Sequence, residues 1–238
     1  MSVFHLLLRV QEHDTAVDRL RHRRLALPEL GELEAVEDSV ARVESAMADA
    51  SQRLAEVARR ERELEDTLAS TEDRIAELER RMYSGVVSAP RELQAMQADH
   101  ESLRRRRSSL EDEVLEVMGE REPVEAEVAA HEAERKRLDA EGSRLRGVVA
   151  EAQAGIDADL VAEQSRRADA AAVIPAEVTA LYERLRARLD GIGAAPLVGV
   201  RCGGCHLTLP ATEIDRIRRE PPDALVSCDQ CGRILVRP

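Results

Sequence analysis

Residues 33–82 read LEAVEDSVARVESAMADASQRLAEVARRERELEDTLASTEDRIAELERRM. Alternate steps of three and four residues from the first of them fall on an apolar side chain at thirteen of fifteen positions, Glu61 and Thr71 being the exceptions. An apolar side chain every 3.5 residues over seven heptads is typical of a coiled coil. The spacing predicts one long helix, beginning near Pro28 because proline suits a first helical turn.

A second stripe with the same spacing runs from Leu93 to Ile156. It is the weaker stripe, because six of its positions are not apolar: His100, Arg107, Arg121, His131, Arg135 and Gly142. The stripes are separated at residues 83–90, where Gly85 permits a turn. A connection this short makes the two helices antiparallel neighbours. With the turn centred near residue 86, the numbers of facing residues are expected to sum to about 172. Pro123 lies inside the second stripe, where proline predicts a kink.

The segments outside the stripes are shorter. An amphipathic N-terminal segment is available to cover the end of the second helix, through Leu6, Val10, Val17, Leu20, Leu25 and Leu27. Ile174-Pro175 predicts the start of a further helix, and the Gly-rich residues 191–196 predict a hinge or linker. After them the chain changes to short β-like runs bounded by Gly, Pro and Cys.

All four cysteines lie in two pairs near the C-terminus, Cys202 with Cys205 and Cys228 with Cys231. Two CxxC pairs separated by 22 residues are close to the spacing of a four-thiolate zinc site. An iron–sulfur cluster, a redox dithiol and unrelated buried cysteines are the alternatives, and a thioredoxin-type dithiol needs a βαβ context that is missing here. Four thiolates close the coordination shell, so we expect one structural Zn²⁺ rather than a catalytic one. His206 is a weaker candidate for a ligand.

Composition limits the function. One Phe, two Tyr and no Trp leave little from which to build a large enzyme domain. Charged residues make up 34% of the chain, as in long helices, and the net charge is −12. No apolar run is long enough for a membrane span and the first ten residues do not form a signal peptide, so a cytoplasmic protein without a membrane or small-molecule partner is expected.

Two features are candidates for contacts with macromolecules. Six arginines of the last 41 residues could form a basic patch for nucleic acid, namely Arg201, Arg216, Arg218, Arg219, Arg233 and Arg237. Against this, the same residues include no aromatic side chain for base stacking, and four zinc-bound thiolates would turn their formal charge of +1 into about −1. Tyr83, at the hairpin tip, either contacts a partner or packs the turn. No set of residues fills the roles of nucleophile, base and stabiliser, so no enzyme is predicted.

The order and spacing of these motifs resemble a bacterial family of C4-type zinc-ribbon proteins with an N-terminal coiled-coil hairpin. The resemblance covers essentially the whole chain. It rests on the hairpin tip, YSGV (83–86) continuing to PRELQ (90–94), and on the connecting segment from Ile174-Pro175 to Tyr182. It also rests on the two Cys motifs, CGGC (202–205) followed by Leu209-Pro210 and CDQCGRIL (228–235). It implies zinc on the four cysteines and a non-catalytic adaptor or chaperone-like role. Members of the family have been linked to transcription, secretion and flagellar partners and proposed as nucleic-acid binders.

The sequence therefore predicts a mainly α protein, a long kinked antiparallel coiled-coil hairpin with a small C-terminal β zinc ribbon. The expected segments are the hairpin at 1–172 with its tip at 83–90, a connecting helix and linker at 173–197, and the ribbon at 198–238. The expected function is a non-enzymatic zinc-binding adaptor or scaffold that docks macromolecular partners, protein partners above all, through ribbon and hairpin. The alternative is a regulatory protein that binds DNA or RNA through the ribbon.

Overall fold

The structure is a computed structural model that describes residues 3–85, 87, 89–221 and 224–237. The chain is mainly α-helical, with three short strands near its C-terminus. The elements in chain order are α1 (Val3–Leu25), α2 (Pro28–Tyr83), α3 (Pro90–Ala171), α4 (Ala176–Arg188), β1 (Ala194–Val198), β2 (Arg201–Cys202), α5 (Ala211–Arg219) and β3 (Ile234–Val236). No helix within the described residues carries an apolar run long enough to cross a membrane. The chain divides into two compact units, Leu33–Arg144 and the residues on either side of that range.

The unit Leu33–Arg144 is built on the two apolar stripes. Every stripe position of α2 and every stripe position of α3, polar ones included, is buried or half-buried. The heptad analysis therefore located the contacting face of both helices. The helix α2 ends one residue beyond the predicted Met82, and α3 is continuous through Pro123.

The register between the helices differs from the expected one. Ion pairs join Glu44 to Arg135 at 3.1 Å, Arg53 to Glu127 at 2.7 Å, Arg60 to Glu120 at 2.8 Å and His100 to Glu79 at 2.7 Å. The paired residue numbers sum to about 180 rather than 172. Residue 97 therefore lies level with Tyr83, and α3 begins about two helical turns beyond the end of α2, at ~1.5 Å per residue. The expected symmetric turn was wrong, because α3 begins farther along the hairpin axis than the level at which α2 ends.

Two stripe positions that are polar in the sequence face each other in the seam. Glu61 is only 7% exposed, and its Oε2 accepts a hydrogen bond from Arg121 Nη1 at 3.0 Å. Arg121 also pairs with Glu125 on its own helix at 2.7 Å. Arg121, one of the non-apolar positions of the weaker stripe, is thus one half of a cross-helix ion pair. The ion pair offsets the cost of burying Glu61.

The second unit packs α1 against the end of α3, α4 and the sheet. One hydrophobic cluster contains side chains from all four of these parts: Phe4, Leu7, Val10, Ala170, Ile174, Tyr182, Ala194, Ile234 and Val236. The N-terminal segment is therefore part of the core, as its amphipathic pattern indicated. Leu25, expected on its apolar face, is exposed, whereas Phe4 and Leu7 are buried.

The sheet has the strand order β2-β1-β3, with β1 antiparallel to β2 and parallel to β3. Its central strand corrects the interpretation of residues 191–196 as a linker, because β1 begins at Ala194 and its first two residues are buried. Two alanines beside a proline carried no strand signal, and they form a strand because β3 pairs with them. The domain limits at residues 172 and 197 stay a prediction.

Candidate metal centre

The four cysteines come together in one cluster. Their Sγ atoms all lie within 4.8 Å of one another. Two of the Sγ–Sγ distances, Cys202 to Cys231 and Cys205 to Cys228, are 3.9 Å. A tetrahedral zinc ion with Zn–S bonds of ~2.3 Å holds its sulfurs about 3.8 Å apart. The residues present therefore fit a Zn²⁺ ion bound by four thiolates.

The two CxxC motifs have the same backbone geometry. In the first knuckle, residues 202–207, Cys202 N–H donates to Leu207 O and His206 N–H donates to Cys202 O. In the second knuckle, residues 228–233, the corresponding bonds run from Cys228 N–H to Arg233 O and from Gly232 N–H to Cys228 O. The residue after the last cysteine has a positive φ in both, 60° at His206 and 74° at Gly232. Each pair of sulfurs is therefore aimed by one tight turn.

Gly203 and Gly204 lie between the two cysteines of the first motif, and neither has a positive φ. A Cβ at Gly203 would lie 2.9 Å from the carbonyl oxygen of Pro196, and one at Gly204 would lie 2.5 Å from Cδ of Arg233. Both glycines are required because the first knuckle approaches β1 and Arg233 closely.

Without metal, the thiols differ in acidity. Burial raises the pKa of Cys202 and raises the pKa of Cys228 to about 12. Burial also disfavours the thiolate of Cys231, but hydrogen bonds from the backbone and side chain of Arg233 outweigh it and lower the pKa of Cys231 to about 7. A bound cation would favour the deprotonated form at all four positions, and metal affinity would fall as the pH falls.

The cysteines rest on a small core of their own. Cys202 and Cys228 are buried with Ile214 and Ile217 of α5 and with Val226. Glu213, which is buried beside the second knuckle, was not among the predicted site residues. Its position in the first turn of an amphipathic helix between the two CxxC motifs was the only available signal.

Three of the six predicted basic side chains are engaged within the ribbon. Arg201 donates to His206 O, and Arg216 pairs with Asp229 at 3.0 Å. Arg237 donates to backbone carbonyls at the end of α5, including Ile217 O at 3.0 Å. Arg218 and Arg219 are exposed and have no ion-pair partner among the residues that the structure describes.

Arg233 connects the ribbon to α4. Its guanidinium donates to Leu189 O at 3.0 Å and to Ile192 O at 2.9 Å. These carbonyls lie at and just beyond the C-terminus of α4, where carbonyl groups lack helical partners and a cation is favourable. Arg233 therefore ties the second knuckle to the helical part of this unit and is not a free member of a basic patch.

A polar network that the sequence did not predict joins α1 to the same junction between α4 and the ribbon. Gln11 donates to Gly191 O at 2.8 Å and accepts from Gly193 N–H at 2.7 Å. Tyr182 donates its hydroxyl hydrogen to Asp14 Oδ2 at 2.7 Å, and burial raises the pKa of Tyr182. Spacing on α1 gives no sign of these partners, because they are more than 160 residues away in the chain.

Tyr83 is the last residue of α2, next to the tip. Its side chain is 85% exposed. The described residues therefore do not bury this ring in the turn.

Comparison with known proteins identifies the fold and the metal site. A family model described as a CT398-like coiled coil hairpin domain matches residues 10–190. The chain belongs to this family. A second model, a C4-type zinc ribbon domain, matches residues 201–235, which contain all four cysteines. The predicted resemblance is therefore confirmed, and the C-terminal part is a C4-type zinc ribbon whose cysteines are suited to bind zinc.

The relatives agree with this assignment. An uncharacterized protein of Mycobacterium tuberculosis is 33% identical over 226 residues, which cover 95% of this chain and 80% of the relative. A solved structure from Mycobacterium smegmatis superposes with a TM-score of 0.89 at 28% identity and covers 100% of both chains. CT398 from Chlamydia trachomatis has a TM-score of 0.72 at 20% identity, covering 99% of this chain and 98% of its own, and shows the same fold. The predicted fold class, a coiled-coil hairpin of long helices with a small sheet that carries the cysteines, is confirmed.

Proposed function

We propose that this protein is a non-enzymatic adaptor that docks a protein partner through the tip of its hairpin and through its zinc ribbon. The observation that carries the proposal is the exposure of Tyr83. A chain with three aromatic residues places one of them, 85% exposed, at the end of α2. Tyrosine supplies a large, rigid contact area and is enriched where protein interfaces bind most tightly.

The ribbon supports a second contact. Val198, Val200 and Leu207 are large apolar side chains that are exposed around the β1–β2 turn. Backbone bonds bring their segments together, since Val198 pairs with Arg201 across the turn and Leu209, two residues after Leu207, donates its N–H to Val200 O. An apolar patch of this kind is suited to a protein surface rather than to a polyanion.

In this proposal the ribbon holds one zinc ion with a structural role. Four thiolates fill a tetrahedral shell and leave no position for a reactive water. The ion supplies the free energy that fixes the two knuckles, because the ribbon has a very small apolar core. The contact surface is then formed by the protein's own residues, and the zinc ion is not part of that surface.

Nucleic-acid binding receives less support. Of the six arginines that would form the basic patch, four donate to groups of the ribbon or the adjoining helix. Arg218 and Arg219 remain, and two cations give only a weak electrostatic attraction to a phosphate backbone.

The proposal is tested by crosslinking and capture of partners from the source cell, with and without nuclease. We expect a captured protein that survives nuclease treatment, is lost with Tyr83→Ala and is retained with Leu115→Ala. Leu115 is the matched control because it is an apolar side chain of α3 that is 66% exposed. Capture that disappears with nuclease, or that is indifferent to Tyr83→Ala, would contradict the proposal.

A further inference from the structure

The two knuckles share the backbone hydrogen bonds described above, but different groups hold the residue after the first cysteine. In the first knuckle this residue is Gly203, and its N–H donates to the backbone carbonyl of Pro196 in β1 at 2.9 Å. In the second knuckle it is Asp229, and its N–H donates to the side-chain Oε1 of Glu213 at 3.0 Å. A carboxylate from α5 thus takes the place that a strand carbonyl occupies in the first knuckle.

Glu213 is placed to do this by the way α5 packs. Ile214 and Ile217 lie in the same core as Cys202 and Cys228, and this brings the first turn of α5 against the second knuckle. Glu213 is 5% exposed, and its Oε2 has no hydrogen-bond partner among the described residues. Burial of a carboxylate is costly. The N-terminus of α5 offsets part of that cost, because a negative charge is favourable in the first turn of a helix.

Arg216, on the next turn of α5, also contacts Asp229. It donates to Asp229 Oδ1 at 3.0 Å, so α5 holds both the backbone and the side chain of Asp229. Both members of this ion pair are about half exposed, and such pairs contribute little. The buried contact from Glu213 is therefore the one expected to matter.

We propose that Glu213 is the positioning residue of the second zinc knuckle and that it sets how fast zinc leaves Cys228 and Cys231. The inference rests on the zinc ion proposed above. Cys228 directly precedes Asp229, so a free Asp229 amide would let the turn that aims both sulfurs relax. Partners that orient metal ligands from outside the coordination shell commonly change metal affinity by about tenfold or more when they are removed.

The test measures the rate of zinc transfer from the full-length protein to a chromogenic chelator. Glu213→Leu keeps the volume but removes the acceptor, and we expect its zinc to be released about tenfold faster. Glu213→Gln keeps an acceptor oxygen and is expected to remain close to the unmodified protein. Arg218→Ala, an exposed change on the same helix, is the control for effects of altering α5. Glu213→Ala, which adds no bulk, replaces Glu213→Leu if that variant does not fold.

Hydrogen exchange separates positioning from general loss of structure. In the zinc-loaded Glu213→Leu protein, we expect faster exchange at the Asp229 amide and unchanged exchange at the Gly203 amide. Release from Glu213→Leu at the unmodified rate, or equally fast release from Glu213→Gln, would overturn the inference. Faster exchange at both amides would overturn it too. If the unmodified protein binds no zinc, the zinc site itself fails, whereas a zinc-bound protein indifferent to Glu213 removes only the positioning role.

Discussion

Gly193 shows how closely single residues are fitted where the ribbon joins the helices. Its Cα lies so near α4 that an added Cβ would be 2.7 Å from the carbonyl oxygen of Tyr182 and 2.8 Å from Cδ2 of the same ring. Its N–H is bonded to Gln11 and its carbonyl oxygen accepts from Ile234 N–H. The glycine permits close packing here and does not act as a hinge.

Replacing Gly193 by alanine should therefore strain the junction. We expect Gly193→Ala to lower the free energy of unfolding by about 1–3 kcal/mol, as overpacking does in other cores. Gly147→Ala is the matched control, because Gly147 lies inside α3 with open space around its Cα. That change should be stabilising, by about 0.5–1 kcal/mol. Chemical denaturation measures both, and equal effects of the two substitutions would refute the explanation.

The two tyrosines provide a second comparison at this scale. Tyr182→Phe removes the hydrogen bond to the buried carboxylate of Asp14. We expect a loss of about 1–3 kcal/mol, because the Asp14 oxygen is left without its donor in a buried place. Tyr83→Phe removes a hydroxyl from an exposed ring and should leave stability unchanged. Thermal denaturation followed by circular dichroism distinguishes the two, and a neutral Tyr182→Phe would show that the bond is dispensable.

At the residue scale, sequence was most informative where chemistry depends on local spacing. The CxxC pairs identified the four sulfurs that come together. The roles of Arg233 and Arg237 were not predictable, because their acceptors are backbone carbonyls whose positions depend on how α4 and α5 pack. The close approaches at Gly193, Gly203 and Gly204 were not predictable either, because they depend on neighbours distant in the chain.

At the scale of the helices, the seam between α2 and α3 contains a polar layer in an otherwise mostly apolar stripe. Glu61 and Arg121 occupy facing stripe positions and bond to each other. Glu61 opposite an apolar side chain would be a buried charge without its partner, so the pair favours one register of the hairpin over shifted ones.

This pair gives a prediction about double and single substitutions. Arg121→Leu alone should destabilise the hairpin, because Glu61 stays buried without its partner. The double substitution Glu61→Leu with Arg121→Leu should recover that loss and equal or exceed the stability of the unmodified protein, since both positions would be apolar. Arg53→Leu, at an exposed cross-helix pair, should have a smaller effect than Arg121→Leu. Melting curves at 222 nm measure all four proteins, and a double variant weaker than Arg121→Leu would contradict the prediction.

The elements differed in how far sequence could specify them. The heptad stripes predicted the long helices and their contacting faces, because a 3.5-residue repeat is a property of the local sequence. The register was predicted wrongly: the expected sum of facing residue numbers was about eight too low, because the register depends on the path of the tip. The strand β1 was missed because it is stabilised by pairing with β3, which lies some 40 residues later.

At the scale of the whole molecule, the ribbon and α1 share one hydrophobic core although they lie at opposite ends of the chain. Ile234 and Val236 of β3 are buried in the same cluster as Leu7 and Val10 of α1. Loss of the metal should therefore loosen α1 as well as the knuckles. The unit Leu33–Arg144 contains none of the four cysteines, and its seam consists of side chains from α2 and α3.

The most direct test of the account is hydrogen exchange of the full-length protein before and after zinc is removed by a chelator, with the zinc content measured in parallel. We expect one zinc per chain and, after its removal, faster exchange in residues 201–236 and in α1, with residues 44–135 of the hairpin unchanged. A protein isolated without zinc would contradict the account, and so would a ribbon whose amides stay protected once all the metal has been removed.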